Sequence, residues 1–221
     1  MPRDLFNTEI KQLQDEVLVL GSMTEKAILD SMEALRDGDL AWSQQLIADD
    51  AAINAKRFDI EDRCIFVIAT QQPMASDLRL LVSMLFVITD LERIADHAEG
   101  IARINLLLAD EPAPRRLGYI PAMADRAITM LRDSLKAYID HDVELARRVC
   151  EADDEVDRLQ DSVYDEATRA MIADPSTIQR NTHLLWTAHN LERIADRCTN
   201  IGERVIYLVT GRMEEINVSK Y

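Results

Sequence analysis

An all-α fold of two tandem antiparallel three-helix bundles, related by an internal repeat, is predicted by three features of the sequence. All six prolines fall at Pro2, Pro73, Pro112, Pro114, Pro121 and Pro175, which leaves long proline-free intervals for long helices. Apolar and small residues recur at three and four, as in Leu13, Val17, Leu20, Thr24, Ala27, Ile28, Ser31 and Leu35, and again in Leu184, Ala188, Leu191, Ala195, Cys198, Gly202 and Val205. Alternating strand patterns are absent. The chain also repeats itself: Leu91-Glu92-Arg93-Ile94-Ala95-Asp96 returns as Leu191-Glu192-Arg193-Ile194-Ala195-Asp196. Ser31, Ala34, Asp37, Asp39 and Asp50 match Ser134, Ala137, Asp140, Asp142 and Asp153 at a constant offset of 103. A repeat of this size, three helices per unit, fits a duplicated bundle rather than a solenoid of short units.

The elements follow from the breakers. Helix 1 is expected from about Asp4 to Arg36, helix 2 from about Leu40 to Gln71 and helix 3 from about Ser76 to Leu108, with Asp37-Gly38-Asp39 and Gln72-Pro73 as the turns. Pro112 and Pro114 lie in the one real linker, residues 111–121, between a first bundle (1–110) and a second (122–221) placed end to end. Helix 4 is expected over about Ala122 to Ile139, helix 5 over about Val143 to Ala173, and helix 6 over about Ser176 to Thr210, stopped by Gly211. Ser76-Asp77 and Asp174-Pro175-Ser176 open helices 3 and 6 and read as capping residues rather than phosphate sites.

The 221 residues, 48% of them hydrophobic, suffice for a real core. A net charge of −15 and a pI near 4.6 argue against nucleic acid or an anionic membrane as direct partner and favour cations or basic protein surfaces. Cys64, Cys150 and Cys198 are odd in number and far apart, so they read as buried reduced thiols of a cytoplasmic protein. The amino terminus lacks the apolar core of a signal peptide. The longest nearly apolar run, Leu80 to Thr89, is too short to span a membrane.

Chemistry concentrates on the repeated acids. Residues four apart share a helix face, so Glu92/Asp96 and Glu192/Asp196 each stack two carboxylates at a cost of roughly 0.2–0.5 kcal/mol per pair. Around helix 6, Glu192 and Asp196 lie just past one edge of the core stripe. In helix 5, Asp153 and Asp157 lie past the edge of Val149, Ala152, Val156, Leu159 and Val163 in the same rotational sense. Two antiparallel helices with equal offsets bring those edges together, so four carboxylates line one groove. The first repeat offers Asp50, Asn54, Glu92 and Asp96, one acid being replaced by an amide, with Glu61 as a compensating candidate. Such oxygen-lined grooves suit magnesium, manganese, calcium or iron and are a poor match to copper(I). The competing readings are solvated acids paired with Arg93, Arg193 and Arg197 on a metal-free scaffold, and a carboxylate-bridged metalloenzyme. Glu-x-x-His is absent, as are the nucleotide, zinc-protease and hydrolase signatures, so enzymatic chemistry has no visible home.

Taken together, Gln71-Gln72-Pro73-Met74-Ala75-Ser76-Asp77-Leu78-Arg79, Asp90 through His97, Asp153-Asp154-Glu155-Val156-Asp157, and His189 through Asp196 with Asn200-Ile201 resemble the PhoU family. The resemblance covers nearly the whole chain. It implies two three-helix bundles whose Glu/Asp-x-x-x-Asp motifs bind iron, zinc, manganese or magnesium, here through Asp50, Glu92, Asp96, Asp153, Asp157, Glu192 and Asp196. It also implies negative regulation of phosphate uptake and starvation signalling, by coupling the ATPase subunit of the phosphate transporter to a sensor histidine kinase. A homodimer is a further expectation. Two departures stand out: Ala95 and Ala195 stand where the family usually has glycine, and Asn54 stands in place of an acid. Among the histidines, His97 is the one within reach of the first groove, although a surface or capping role suits it better. Trp42, Trp186 and the methionines, at helical spacing, read as core or partner-facing.

Overall fold

The computed structural model describes residues 2–113 and 115–214, the side chains from Phe6 onward. The six expected helices are α1 (Pro2–Asp37), α2 (Leu40–Gln71), α3 (Ser76–Leu107), α4 (Ile120–Asp140), α5 (Val143–Ala173) and α6 (Ile178–Thr210), with a 3-10 turn, Pro175–Thr177, before α6. No strand occurs among the described residues. The helix starts of α2 and α5 were legible because the same device sets them: Asp39 and Asp142 accept the backbone N–H of Trp42 and Leu145, both at 2.9 Å. The preceding turns match as well, with Gly38 at φ 67° and His141 at φ 56° in the left-handed region.

Other boundaries differ for local reasons. Helix α4 begins at Ile120, before Pro121, because a proline in the first helical turn forfeits no hydrogen bond. Asp174 caps as expected, accepting from the Ser176 backbone N–H at 3.0 Å. Ser76 does not: α3 opens on Ala75 at φ 48° with no side-chain cap.

The bundles lie side by side, not end to end. Helices α3 and α6 run antiparallel along their length, with His97 Nδ1 3.1 Å from Asn190 Oδ1 and Arg197 3.5 Å from Asp90. Helices α1 and α4 run alongside too, joined by Arg132 and Glu25 at 2.6 Å. The seam obeys the repeat's pseudo-twofold, because Asp90 and Asn190, and His97 and Arg197, occupy equivalent places. His97 is therefore an inter-bundle residue rather than a surface one.

The core residues read from periodicity are buried in α1 and α6, including Leu13, Val17, Leu20, Ile28 and Leu35 in α1 and Leu191, Ala195, Cys198, Gly202 and Val205 in α6; in α5, Ala152 and Leu159 are only partly buried and Asp153 is buried instead. Ala27 alone of the α1 stripe stays partly open, beside a cavity described below. The three cysteines are buried and free, and burial pushes the Cys64 and Cys150 thiols up to about 12. Trp186 is 51% exposed and does not enter the core.

Tyr138 is fully buried in α4, and its hydroxyl meets no hydrogen-bond partner. An orphaned buried hydroxyl costs about 1–3 kcal/mol. Tyr138→Phe is therefore expected to raise stability by about 1 kcal/mol, read as a higher urea midpoint at unchanged slope.

Candidate functional site

In the second repeat three of the four expected acids, Asp157, Glu192 and Asp196, neighbour one another across the α5–α6 pair, and Asp153 does not join them at the groove edge. Burial and the carboxylates of Asp196 and Asp157 push Glu192 up to about 7, against the downward pull of Arg193. Asp157, Glu192 and Asp196 therefore share one seam. Asp153, 3% exposed, lies deeper, near the thiols of Cys150 and Cys198.

The first repeat is built alike on α2 and α3. Burial raises the Asp50 carboxyl, and the charges of Asp96, Glu99 and Glu92 raise it further. Asn54 donates its amide to Asp50 Oδ2 at 2.7 Å, a bond the equivalent Asp157 carboxylate could not donate. Glu61 does not compensate for Asn54; it pairs with Arg57 at 2.7 Å. Glu99 is the acid that sequence reasoning missed. It lies three residues beyond Asp96 on the same face, but Thr199 in its place in the second repeat hides it from a comparison of repeats.

Arginines clamp both seams. Arg93 reaches Glu92 at 3.4 Å and Asp96 at 2.9 Å; Arg193 reaches Glu192 at 3.5 Å and Asp196 at 2.6 Å. Arg197 turns away to Asp90 in the inter-bundle seam. Among the described residues, no three His, Cys, Asp or Glu side chains stand together as a ready ligand set for a metal ion. Charge compensation is nevertheless incomplete. Glu192 Oε2 is buried without a hydrogen bond, with His189 Nδ1 and Arg193 Nε at 3.3 and 3.5 Å, and Asp50 Oδ1 is buried without one as well. The all-oxygen donor set and these orphaned atoms fit a hard cation.

A carboxyl held above its unfolded value of 4.5 makes the folded chain the better proton binder between about 4.5 and 7. Its contribution is thus most favourable below that window and is lost as pH rises through 7. In chelator-treated protein, Glu192→Gln is expected to remove this loss, stabilising the chain at pH 8 relative to pH 5 by about 1 kcal/mol or less after solvent screening. Urea midpoints of both proteins at the two pH values check it.

An acidic seam repeated on two packed three-helix bundles defines a duplicated all-α helical protein. The PhoU domain model matches residues 17–104 and again 120–205, and the chain belongs to the PhoU family. It is 38% identical over 98% of its length to the whole of the phosphate-specific transport system accessory protein PhoU homolog of Clostridium acetobutylicum. It is 32% identical over 94% of its length to the PhoU accessory protein of Escherichia coli, covering 86% of that chain. The crystal structure of PhoU from Pseudomonas aeruginosa superposes with a TM-score of 0.87 at 36% identity, covering 94% of this chain and all of that one. The phosphate transport system regulatory protein PhoU from Streptococcus pneumoniae gives 0.88 at 30%, covering 95% and 99%. No described helix is long and apolar enough to cross a membrane.

Proposed function

We propose that this protein is a metal-binding adaptor that restrains phosphate uptake and phosphate-starvation signalling. It stands between the ATPase subunit of a phosphate transporter and a sensor histidine kinase, in the cytoplasm and as a homodimer. Family membership and the names of its relatives, accessory and regulatory proteins of phosphate transport, support the phosphate role. A net charge of −15 favours basic faces on the partners.

The observation that carries the metal part is Glu192, a half-buried carboxylate pushed up by Asp196 and Asp157 although Arg193 stands beside it. Asp153, Asp157, Glu192 and Asp196 would hold the cation in the second seam, and Asp50, Glu92 and Asp96 in the first. A bound cation supplies the positive charge these acids lack, tying α5 to α6 and α2 to α3. The residues' own part is to turn from Arg93 and Arg193 toward the ion. Asn54 makes the first seam the weaker of the two.

Elemental analysis tests the metal part. Protein purified without chelator is expected to carry magnesium, manganese, iron or zinc, and Asp153→Ala/Glu192→Ala to lose most of it. Equal metal in the two proteins, or none in the wild type, refutes it. Affinity capture from phosphate-replete cells is expected to recover the transporter ATPase and the kinase; recovery of neither refutes the adaptor part.

A further inference from the structure

The two repeats differ at one place in a way that the shared acids do not account for. Between α1, α2 and α3 lies a cavity of about 200 Å³ whose apolar wall is formed by Met23, Ala27, Leu46, Ile53, Ala95 and Ala98. In the second repeat the places of Ala27 and Ala98 are taken by Met130 and Cys198, both buried. Met130 is buried there, where the smaller Ala27 stays partly open here. Ala27 is the α1 core position that failed to bury, and this cavity is the reason.

The polar rim comprises Asp30, Asp49, Asp50 and Glu99 with one cation, Lys26. Most of that charge is engaged: Lys26 binds Asp30, Gln45 donates to Asp49 at 2.7 Å, and Arg103 donates to Glu99. Asp50 differs. Asn54 holds its Oδ2, while its Oδ1 is buried and accepts no hydrogen bond. A negative oxygen with spare acceptor capacity, next to an apolar wall with room for several methylenes, matches an aliphatic chain ending in an ammonium group. A bare metal ion would leave the wall unused, and a neutral chain would leave the carboxylate unsatisfied.

We propose that the cavity is a binding site for an alkylammonium group, its methylenes packed on Met23, Ala27, Leu46 and Ile53 and its nitrogen donating to Asp50 Oδ1. The chemistry is shared by a free aliphatic amine and by the side chain of a lysine on a partner protein. The site shares Asp50 with the first cation seam, so an ion held there and an ammonium group exclude one another, whereas Glu92 and Asp96 do not line the cavity.

The test is calorimetric titration of the full chain with n-pentylammonium chloride. Saturable binding is expected, weakened at least tenfold by Asp50→Asn, which keeps the shape and removes the charge. Ala27→Met, which installs the residue the second repeat already folds with, is expected to weaken it as much. Glu192→Gln, in the other repeat, is expected to leave it unchanged, and chelator-treated protein is expected to bind at least as tightly as untreated protein, which separates this site from the metal reading. Pentanol should bind at least tenfold more weakly than pentylammonium. Absence of saturable binding, or binding that survives both Asp50→Asn and Ala27→Met, overturns the proposal. Titrations with cadaverine and N-acetyl-lysine methylamide then identify the source: tighter binding of the first supports a free amine, tighter binding of the second a partner's lysine.

Discussion

Replacing Arg115 by alanine is expected to cost about 3 kcal/mol of stability, although the residue lies in the stretch between the bundles that reads as plain linker. Arg115 is 7% exposed. Its guanidinium donates to the carbonyls of Leu35 at 2.8 Å and Leu108 at 2.7 Å and to the Asn105 side chain, and its own backbone N–H donates to Arg36 at 2.8 Å. Leu35 and Arg36 lie in the last turn of α1 and Leu108 just past the end of α3, where the helix dipoles concentrate negative charge. Asn105 extends the knot, the two hydrogens of its Nδ2 shared among the Ala34 and Asp39 carbonyls at 2.9 and 3.0 Å and Ser43 Oγ at 2.7 Å. One cation thus ties the end of α1, the start of α2 and the end of α3. Truncating it strands several buried acceptors at once, and lysine cannot restore the fork. Urea denaturation should report the loss, with a fall in Tm of roughly 6–12 °C for a chain of this size. A change below about 1 kcal/mol would show that water replaces the side chain freely.

The contrast between Arg115 and Asp39 explains what the sequence did and did not disclose. A capping aspartate acts on residues three positions away, so its effect is local and repeats as Asp142. The bonds of Arg115 reach acceptors as far as 80 residues away, and nothing in residues 111–121 marks which arginine is buried. The same distinction governs packing. The heptad-like stripe placed Glu192 and Asp196 correctly at its edge, because the edge is a property of one helix. Side-by-side docking of the bundles needed a second buried stripe on α3, formed by Ser83, Val87, Asp90, Ile94 and Ile101, which polar Ser83 and Asp90 disguise. Apolar and small residues on α3 beyond the width of a single core stripe were the available signal. The competing reading of paired acids holds for Arg93 and Arg193, which bind Asp96 and Asp196, and not for Arg197, which binds Asp90. Rotation about the helix axis fixes neighbourhood but not which rotamer an acid adopts.

Gly202→Leu is the second change expected to cost about 3 kcal/mol, and it bears directly on the second acidic seam. A Cβ at residue 202 would stand 3.0 Å from the Ala146 backbone carbonyl and 3.1 Å from Cys150 Sγ. The first contact is with main chain on α5, which cannot swing aside as a side chain would. Alanine demands only a few tenths of an ångström and recovers about 1 kcal/mol of helix propensity, so Gly202→Ala is expected to be close to neutral. The first repeat carries a buried Ala102 in this place, consistent with that expectation. Leucine must instead push α6 away from α5, and those two helices carry Asp153 and Asp157 on one side of the seam and Glu192 and Asp196 on the other. Widening the pair separates the carboxylates, so the leucine variant should lower the raised Glu192 value toward 4.5 as well as the unfolding free energy. Denaturation together with carbon-13 titration of Glu192 in Gly202→Ala and Gly202→Leu distinguishes the outcomes. A leucine variant that loses stability while Glu192 still titrates near 7 would show that the seam is held by something other than the close approach at Gly202.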